Sequence, residues 1–241
     1  MTAQTPSHID SDVEFGHGSA HRFGVILVWW LAAATVLLLG MAMEPTRELI
    51  EHIDDWWLNL MVDAEVGFLI TLSEVLAFGG ATEITVPTML GVSVWLGRRA
   101  DWARLAVWLG AIILSEATLS ILKALFGRTR PPADLMLEVT RSSSFPSGHS
   151  ILAAMMALAL VYVFAAPGKQ ARRWFYVAGA YVVAMAVSRT YLRVHWLSDV
   201  TVGLAIGVSS VMASVWIVER FPAGPPRALR SVFGWAAKSA R

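Results

Sequence analysis

Residues 23–43 read FGVILVWWLAAATVLLLGMAM, and this stretch contains no charged side chain. As a helix it is long enough to cross a hydrocarbon core of about 30 Å. Three further charge-free runs follow, at residues 151–166, 174–188 and 200–218. A helix on the surface of a soluble domain would show a polar face, and these runs show none. The chain is therefore predicted to be an all-α integral membrane protein.

The composition of the 241 residues supports the same class. Of these residues 56% are hydrophobic and 15% are charged, against the roughly 25% of charged residues that soluble domains carry. A net charge of +1 predicts no nucleic-acid partner. Cysteine is absent from the sequence, which excludes disulfides, thiolate metal sites and a cysteine nucleophile. The run at 23–43 exceeds the roughly 7–15 residues of a signal-peptide core, so it is interpreted as an uncleaved first span.

Six spans are predicted, with an extra helical segment between the first and the second. The spans cover residues 23–43, 82–97, 103–124, 147–166, 172–188 and 199–218. Residues 46–63 mix charges with tryptophans and leucines, and they are predicted to lie along the membrane interface, where indole rings are favoured. The short stretch 65–78 carries Glu65 and Glu74, which indicates an interfacial or partly inserted segment.

The domain layout follows from these spans. A polar tail at 1–22 precedes a six-helix membrane domain at 23–220. The last stretch, 221–241, is a basic tail whose spacing of apolar and basic residues suggests an amphipathic helix on an anionic inner leaflet.

Positive charge near short loops indicates which ends of the spans face the cytoplasm. The cations on one side are Arg98, Arg99, Arg104, Lys169, Arg172, Arg173, Arg220, Arg227, Arg230, Lys238 and Arg241. This side is predicted to be cytoplasmic, and an even number of spans places both termini there. The loops at 126–146 and 189–198 are then predicted to face outward.

These outward loops are unexpectedly basic. The cations in or next to them are Lys123, Arg128, Arg130, Arg141, Arg189 and Arg193. Because positive charge on the outer side works against the predicted topology, its presence indicates a bound anion. Arginine offers a planar fork that matches phosphate oxygens, and lysine adds a compact positive charge.

Three segments that carry these cations are predicted to meet at the outer face. They read KALFGRTRP at 123–131, FPSGH at 145–149 and SRTYLRVHWLSD at 188–199. The second segment opens a helix, whose free backbone N–H groups attract an anion. Gly148 permits close approach, and the Ser147 hydroxyl can donate a hydrogen bond.

Two histidines and an aspartate in these segments have the residue types that phosphoryl transfer requires. His195 and Asp199 are four residues apart, so they share one face of a helical turn. A carboxylate at one ring nitrogen fixes the tautomer and leaves the other nitrogen free to attack. His149 can protonate the leaving oxygen as general acid.

The pattern Lys-x6-Arg-Pro, Pro-Ser-Gly-His and Ser-Arg-x5-His-x3-Asp resembles the type 2 phosphatidic acid phosphatase superfamily of membrane lipid phosphate phosphatases. The resemblance implies a phosphohistidine intermediate on His195, oriented by Asp199, with His149 as acid. The residues that would hold the phosphate are Lys123, Arg130, Ser147, Gly148 and Arg189. Arg128 and Arg193 are not fixed by the motifs and are predicted to contact the substrate more weakly. No metal and no cofactor are implied.

The predicted function is hydrolysis of a lipid phosphomonoester or diphosphate in the cell membrane, with membrane lipids as the surroundings. Candidate substrates are undecaprenyl diphosphate, phosphatidic acid, phosphatidylglycerol phosphate and a lipid A phosphate, and an outward site slightly favours the first. Three alternatives remain: a lipid phosphotransferase that uses the same site, a vanadium-dependent halide oxidase, and a non-enzymatic transporter of anionic lipids. Six spans disfavour the halide oxidase, and cations at one edge disfavour a midplane transport site.

Three smaller interpretations stay open. A His-His-Asp zinc site is disfavoured because the neighbouring cations would repel a metal. Glu74 and Glu83 flank the Gly79-Gly80 break and are candidates for the substrate entrance. The pair of glycines in Gly203-x3-Gly207 allows close helix packing, either within the chain or in a homodimer.

Overall fold

A computed structural model of the protein describes residues 44–140, 142–166 and 168–221. The predicted span at 23–43, the tail at 1–22 and all but the first residue of the tail at 221–241 lie outside this part. The described part is helical and contains no strand. In chain order its helices are α1 (Glu44–Asp63), α2 (Gly67–Gly79), α3 (Thr82–Arg98), α4 (Trp102–Phe126), α5 (Gly148–Phe164), α6 (Lys169–Tyr191) and α7 (Leu197–Arg220).

Three candidate membrane spans occur in the described residues. They are Gly67–Arg98, which joins α2 and α3, Trp102–Phe126 and Leu197–Arg220. Helix α5 is apolar but shorter. Helix α6 is less apolar on average because Lys169, Arg172 and Arg173 lie in its first turns. The chain is a membrane protein, while the count of six spans and the interfacial position of α1 stay predictions.

Helix α4 shows how local sequence sets the ends of a span. The Asp101 carboxylate accepts a hydrogen bond from the Arg104 N–H over 3.2 Å, which caps the first turn. At the other end Gly127 adopts a left-handed backbone with φ of 53°, a conformation that glycine reaches without a Cβ clash. The chain therefore turns sharply there, and the basic segment beginning at Arg128 leaves the helix axis at once.

Helix α5 lies at the centre of the bundle, packed against α4, α6 and α7. The main apolar core joins α5 to α3, α4 and α7 around Trp108, Met155 and Val211. Trp108 is fully buried, and its indole N–H donates to the Ser93 hydroxyl over 3.1 Å. The polar end of this large side chain is thereby satisfied inside the core.

The glycine pair of α7 packs within the chain. A Cβ at Gly203 would lie 2.8 Å from the Ser147 carbonyl oxygen, and one at Gly207 would collide with the Ile151 carbonyl oxygen. Both glycines therefore bring α7 against the beginning of α5, close to the predicted site. This contact accounts for the glycine pair without a second chain, and the homodimer stays untested.

The outward loop predicted at 189–198 is shorter than expected. Helix α6 continues through Tyr191 and α7 begins at Leu197, so only residues 192–196 form the loop. Arg189, Thr190 and Tyr191 are buried with hydrogen-bond partners, and their polarity therefore does not end the helix. A polar run next to an apolar span can be interior when its partners come from elsewhere in the fold.

Candidate active site

The three predicted segments meet at one end of the bundle. The loop after α4 is tied to itself by the Ser144 N–H, which donates to the Arg128 carbonyl over 2.8 Å. The Ser147 N–H before α5 donates to the Asp199 carbonyl in α7 over 3.1 Å. The Arg130 guanidinium donates to the Val194 carbonyl in the 192–196 loop. These contacts hold the candidate residues in one cluster.

His195 and Asp199 form the predicted pair. Asp199 occupies the third position of α7, where its carboxylate accepts a hydrogen bond from the Trp196 N–H over 2.9 Å. Its Oδ2 lies 3.4 Å from Nδ1 of His195, and Nδ1 has no nearer partner among the described residues. This distance is an electrostatic pairing rather than a short hydrogen bond. It still assigns Nδ1 to the carboxylate and leaves Nε2 as the free nitrogen.

The Asp199 carboxylate is fully buried and held from several directions. Arg128 donates from Nη1 to Oδ1 over 2.8 Å, and the Ser144 hydroxyl donates to Oδ2. A buried carboxylate needs such partners to remain ionised. The carboxylate is therefore fixed before any substrate arrives.

Arg130 lies on the other side of His195, and the loop that holds Arg130 also holds Lys123. Nη1 of Arg130 is 3.4 Å from Nε2 of His195. Arg130 also donates to the Ser142 carbonyl over 2.8 Å, and Nζ of Lys123 donates to the Ser143 carbonyl over 3.0 Å. The serines after position 141 thus hold two cations, and the guanidinium of Arg130 lies beside the free nitrogen of His195, where a phosphate would be attacked.

Arg189 is paired with a carboxylate from the loop after α4. Its two terminal nitrogens donate to the two oxygens of Glu138 over 2.9 and 3.0 Å. Arg189 is 2% exposed, whereas the Glu138 side chain is 39% exposed. A bidentate carboxylate uses the same fork that would bind a phosphate.

His149 lies in the second position of α5, beside a cavity of about 550 Å³. The cavity is lined by Glu74, Phe78, Gly80, Glu83, Glu138 and His149, among others. A Cβ at Gly80 would lie 2.9 Å from Cδ2 of His149, so the helix break allows this close approach. The predicted acid and both carboxylates that flank the break therefore share one opening.

Ser147 and Gly148 begin α5. Ser147 is fully buried, and its hydroxyl oxygen accepts from the Ser150 hydroxyl over 3.1 Å and from the Ser150 N–H at 3.5 Å. The hydroxyl therefore caps α5, and its own proton is available to an acceptor. The Gly148 backbone lies at the positive end of the α5 dipole.

Burial lowers the pKa of His195 below its ordinary value of 6.5, and Arg130 and Arg189 lower it further against the opposing effect of Asp199. The imidazole is therefore neutral at pH 7, as a nucleophile must be. For Glu138, partial burial would raise the pKa, but the hydrogen bonds and charge of Arg189 hold it below its ordinary value. The Glu138 carboxylate is thus ionised at neutral pH.

Comparison with known proteins identifies the family. The family model of the PAP2 superfamily matches residues 104–222, a segment that contains all three motifs. The chain belongs to the PAP2 superfamily. Because the matched segment begins in α4, helices α1 to α3 lie outside it.

Curated relatives of this PAP2 chain are phosphatases. Phosphatidylglycerophosphatase B of Bacillus subtilis strain 168 is 36% identical over 93 residues, which cover 36% of this chain and 45% of the relative. Lipid A 1-phosphatase of Porphyromonas gingivalis is 30% identical over 141 residues, which cover 56% of this chain and 29% of the relative. The matches thus span less than half of either relative.

Two solved structures share the PAP2 fold. The first is a transmembrane PAP2 type phosphatidylglycerolphosphate phosphatase from Bacillus subtilis, with a TM-score of 0.69 and 22% identity, covering 81% of this chain and 96% of that one. The second is LpxE of Aquifex aeolicus, with a TM-score of 0.54 and 23% identity, covering 66% of this chain and 92% of that one. Both likenesses support the helical membrane architecture.

Arg128 and Arg193, the predicted weaker substrate contacts of this PAP2 chain, both form ion pairs with carboxylates of the N-terminal part. Nη2 of Arg128 donates to Oδ2 of Asp54 over 2.7 Å. Arg193 donates to the Glu65 carboxylate, and to the Leu135 carbonyl over 3.2 Å. Their substrate contact stays a prediction.

Sequence reasoning missed Asp54 and Glu138. The burial of Asp54 has a periodic signal, because Asp54, Leu58 and Met61 lie on one helical face and all three are buried. Glu138 has no such signal, since it lies in an irregular loop. Among the described residues, no group of three or more His, Asp or Glu side chains could hold a metal ion.

Proposed function

We propose that this protein is a membrane lipid phosphatase that uses His195 as its nucleophile. The observation that carries the proposal is the pairing of His195: Nδ1 faces the buried Asp199 carboxylate, and Nε2 faces Arg130. A histidine placed between a fixed carboxylate and clustered cations has the arrangement that attack on phosphorus requires.

In the proposed first step, Nε2 of His195 attacks phosphorus and the bond from phosphorus to the lipid oxygen breaks. His149 donates a proton to the departing oxygen. Lys123, Arg130, Arg189, the Ser147 hydroxyl and the Gly148 N–H stabilise the negative charge that develops on the phosphoryl oxygens. Asp199 stabilises the positive charge that His195 acquires.

In the proposed second step, water attacks the phosphohistidine and His149 accepts its proton. The phosphorus–nitrogen bond breaks, phosphate leaves, and His195 returns to the neutral form. His149 lines the same cavity as Glu138, the partner of Arg189, which supports its place in the same reaction centre.

The membrane fold supports a lipid as the substrate, because a soluble phosphoester does not require a site at the end of a membrane bundle. We propose a phosphomonoester or diphosphate on a lipid, with the same four candidates as before. The names of the curated relatives support phosphatidylglycerol phosphate and lipid A phosphates. We also propose that the site faces outward and that both termini are cytoplasmic, on the charge pattern of the loops.

The test measures phosphate release from the four candidate lipids by protein purified in detergent with a chelator present. Wild type is compared with His195→Ala and with His52→Ala, an exposed histidine of α1 that serves as the matched control. We expect wild type and the His52 variant to release phosphate from at least one lipid, and the His195 variant to release none. Equal activity of all three proteins would show that His195 is not the nucleophile.

The alternatives have distinct outcomes in the same assay. Phosphate transfer that depends on an added lipid acceptor, with no release into water, would indicate the phosphotransferase. Exchange of anionic lipid across proteoliposomes by the His195→Ala variant would indicate the transporter. Activity that disappears with chelator would contradict the metal-independent mechanism.

A further inference from the structure

Asp54 is a buried carboxylate on a helix that is otherwise largely exposed. It is 2% exposed, whereas its neighbours Ile53, Asp55 and Trp56 on α1 are exposed. A charged side chain is rarely buried unless it is paired. The position therefore requires partners, and these come from the catalytic end of the bundle.

The Asp54 carboxylate is shielded from solvent and accepts three hydrogen bonds. Oδ1 accepts from the Ser198 N–H over 2.8 Å, and Oδ2 accepts from the Ser198 hydroxyl over 2.6 Å. Oδ2 also accepts from Nη2 of Arg128 over 2.7 Å. Ser198 is the residue immediately before Asp199, so Asp54 holds the first turn of α7.

Arg128 connects Asp54 to the predicted catalytic carboxylate. One end of its guanidinium contacts Asp54, and the other donates from Nη1 to Asp199 over 2.8 Å and to the Ser198 hydroxyl over 2.6 Å. The planar fork fixes the two carboxylates relative to each other. The order of contacts is Asp54, Arg128, Asp199 and His195.

We infer that Asp54 is a positioning residue for the nucleophile, acting through Arg128 and Ser198 on Asp199. This inference rests on the proposed function, because it takes His195 as the nucleophile. Asp54 touches neither His195 nor the predicted phosphate-binding residues. Its effect is to balance the charge of Arg128 and to fix where the Asp199 carboxylate points.

The end of α1 supports this role with a second set of contacts. Glu65, just after α1, pairs with Arg193, whose backbone is left-handed with φ of 57°. The Tyr191 hydroxyl accepts from the Val66 N–H over 2.8 Å and donates to the Ala64 carbonyl over 2.9 Å. A non-glycine residue with positive φ persists only where its surroundings hold it.

Helix α1 and the turn after it therefore hold the loop that carries His195 at both ends. Asp54 holds the α7 side and Glu65 holds the α6 side. Because α1 lies outside the segment that the family model matches, this support is a feature of the chain beyond the three motifs.

Removing the charge of Asp54 has a direct electrostatic consequence. The groups whose charges act on His195 include Asp199, Arg130 and Arg189, and Asp199 is in turn paired with Arg128. Without Asp54, the charge of Arg128 is opposed by one carboxylate instead of two. A more positive surrounding disfavours the protonated imidazole and makes His195 a weaker nucleophile.

The experiment compares Asp54→Asn with Asp55→Asn, the exposed aspartate next to it on α1. For Asp54→Asn we expect kcat to fall by about 10- to 100-fold, the range expected for loss of a hydrogen-bonded charge pair, with KM unchanged. We also expect the acid limb of kcat/KM against pH to move to lower pH, since the free substrate titrates identically in both assays. Asp55→Asn should match wild type in kcat, in KM and in the position of the acid limb.

A merely structural role would give a different pattern. It would lower the yield or the melting temperature and scale kcat equally at every pH, without moving the acid limb. Ser198→Ala provides a second, milder variant, because it removes the hydroxyl that joins Asp54 to Arg128 and keeps both charges. If Asp54→Asn does not fold, a normal kcat for folded Ser198→Ala overturns the inference, and a fall of about threefold to tenfold supports it.

The His195→Ala variant separates the two proposals. If it is inactive while folded Asp54→Asn retains wild-type kcat and pH dependence, the positioning role is wrong and the proposed function stands. If His195→Ala is active, the proposed function itself has failed.

Discussion

Two carboxylates at the ends of the same site are held in opposite ways. Asp199 is fully buried and has partners in Arg128, Ser144 and the Trp196 N–H. The Glu138 side chain is 39% exposed, and its one ion-pair partner among the described residues is Arg189. The first carboxylate belongs to the side of the site that holds the nucleophile, and the second lies at the cavity beside His149.

The difference separates groups that must stay fixed from groups that a ligand can displace. An incoming phosphate cannot replace Asp199, because that carboxylate is fully buried, and removing it would leave the Ser144 hydroxyl and the Trp196 N–H without their acceptor inside the protein. It can replace Glu138, because both offer oxygens to the Arg189 fork and Glu138 can turn into solvent. The substitutions below test this division, from the largest expected effect to the smallest.

Replacing Asp199 by Asn should have the largest effect. The amide keeps the shape but cannot stabilise a positive His195, and its NH2 group must face donors on either side, the Arg128 guanidinium or the Ser144 hydroxyl and Trp196 N–H. We expect kcat to fall on the order of 10³- to 10⁴-fold, as for the aspartate of a catalytic triad. Phosphate release from the preferred lipid is the measurement.

The matched control for Asp199→Asn is Asp134→Asn, an exposed aspartate in the loop after α4. It should retain wild-type kcat. If the kcat of Asp199→Asn fell by less than tenfold, the role of this buried carboxylate would be structural and not catalytic.

Replacing Arg189 by Gln should reduce kcat/KM by about 10- to 100-fold, the loss expected for one charged hydrogen-bond donor to phosphate. Binding should be affected together with catalysis, because the guanidinium is proposed to contact the phosphate in both states. Steady-state kinetics measure the effect, and Arg172→Gln, an exposed arginine in the first turn of α6, is the control. An unchanged kcat/KM would place the phosphate elsewhere.

The motif residues of this site could be predicted because they lie close together in three short segments of the sequence. Arg130, His149 and His195 lie in runs whose composition conflicts with the expected topology, and a bound anion explains the conflict. The packing role of Gly203 and Gly207 needed the structure, because their spacing fits contact with another helix of the same chain or of a second chain.

Asp54 and Glu138 could not be predicted in the same way, because their partners are distant in sequence. Asp54 contacts Arg128, 74 positions away, and Glu138 contacts Arg189, 51 positions away. Asp54 and Asp55 are adjacent and chemically identical. Asp54 alone is buried, because it lies on the face of α1 that packs against the bundle. Likewise, the sequence predicts Arg189 in a loop, whereas its pairing with Glu138 lets it lie buried at the end of α6.

The pH dependence tests the environment of the nucleophile. Because burial, Arg130 and Arg189 lower the pKa of His195, its neutral, reactive form persists below pH 6.5. Activity should be lost only as the pH falls through this lowered pKa, by about tenfold per pH unit beyond it. The acid limb of kcat/KM should therefore lie below pH 6.5.

Substrate titration is a second source of an acid limb, since a phosphomonoester has a second pKa near 6. Measuring kcat/KM with two substrates whose phosphate pKa values differ separates the two, because the limb of the enzyme is common to both. A common limb above pH 6.5 would mean that His195 is more solvated than its burial indicates.

Replacing Glu138 by Gln should have the smallest effect, and in the opposite direction. The substitution removes the charge that competes for Arg189, so inorganic phosphate should inhibit more strongly. We expect its inhibition constant to fall about twofold to fivefold, because a half-exposed ion pair contributes no more than about 1 kcal/mol. The kcat should remain close to that of wild type, since Glu138 contacts neither His195 nor Asp199.

The double variant Glu138→Gln with Arg189→Gln shows whether the competition acts through Arg189. If Glu138 only occupies the fork of Arg189, its removal should change nothing once that fork is gone, and the inhibition constant should equal that of Arg189→Gln alone. A fall of the same size in both backgrounds would mean that Glu138 repels phosphate through the open cavity at His149. An inhibition constant that rises in Glu138→Gln would instead show that Glu138 holds Arg189 in place for phosphate. Glu138 would then be a fixed part of the site, as Asp199 is, and not a group that phosphate displaces.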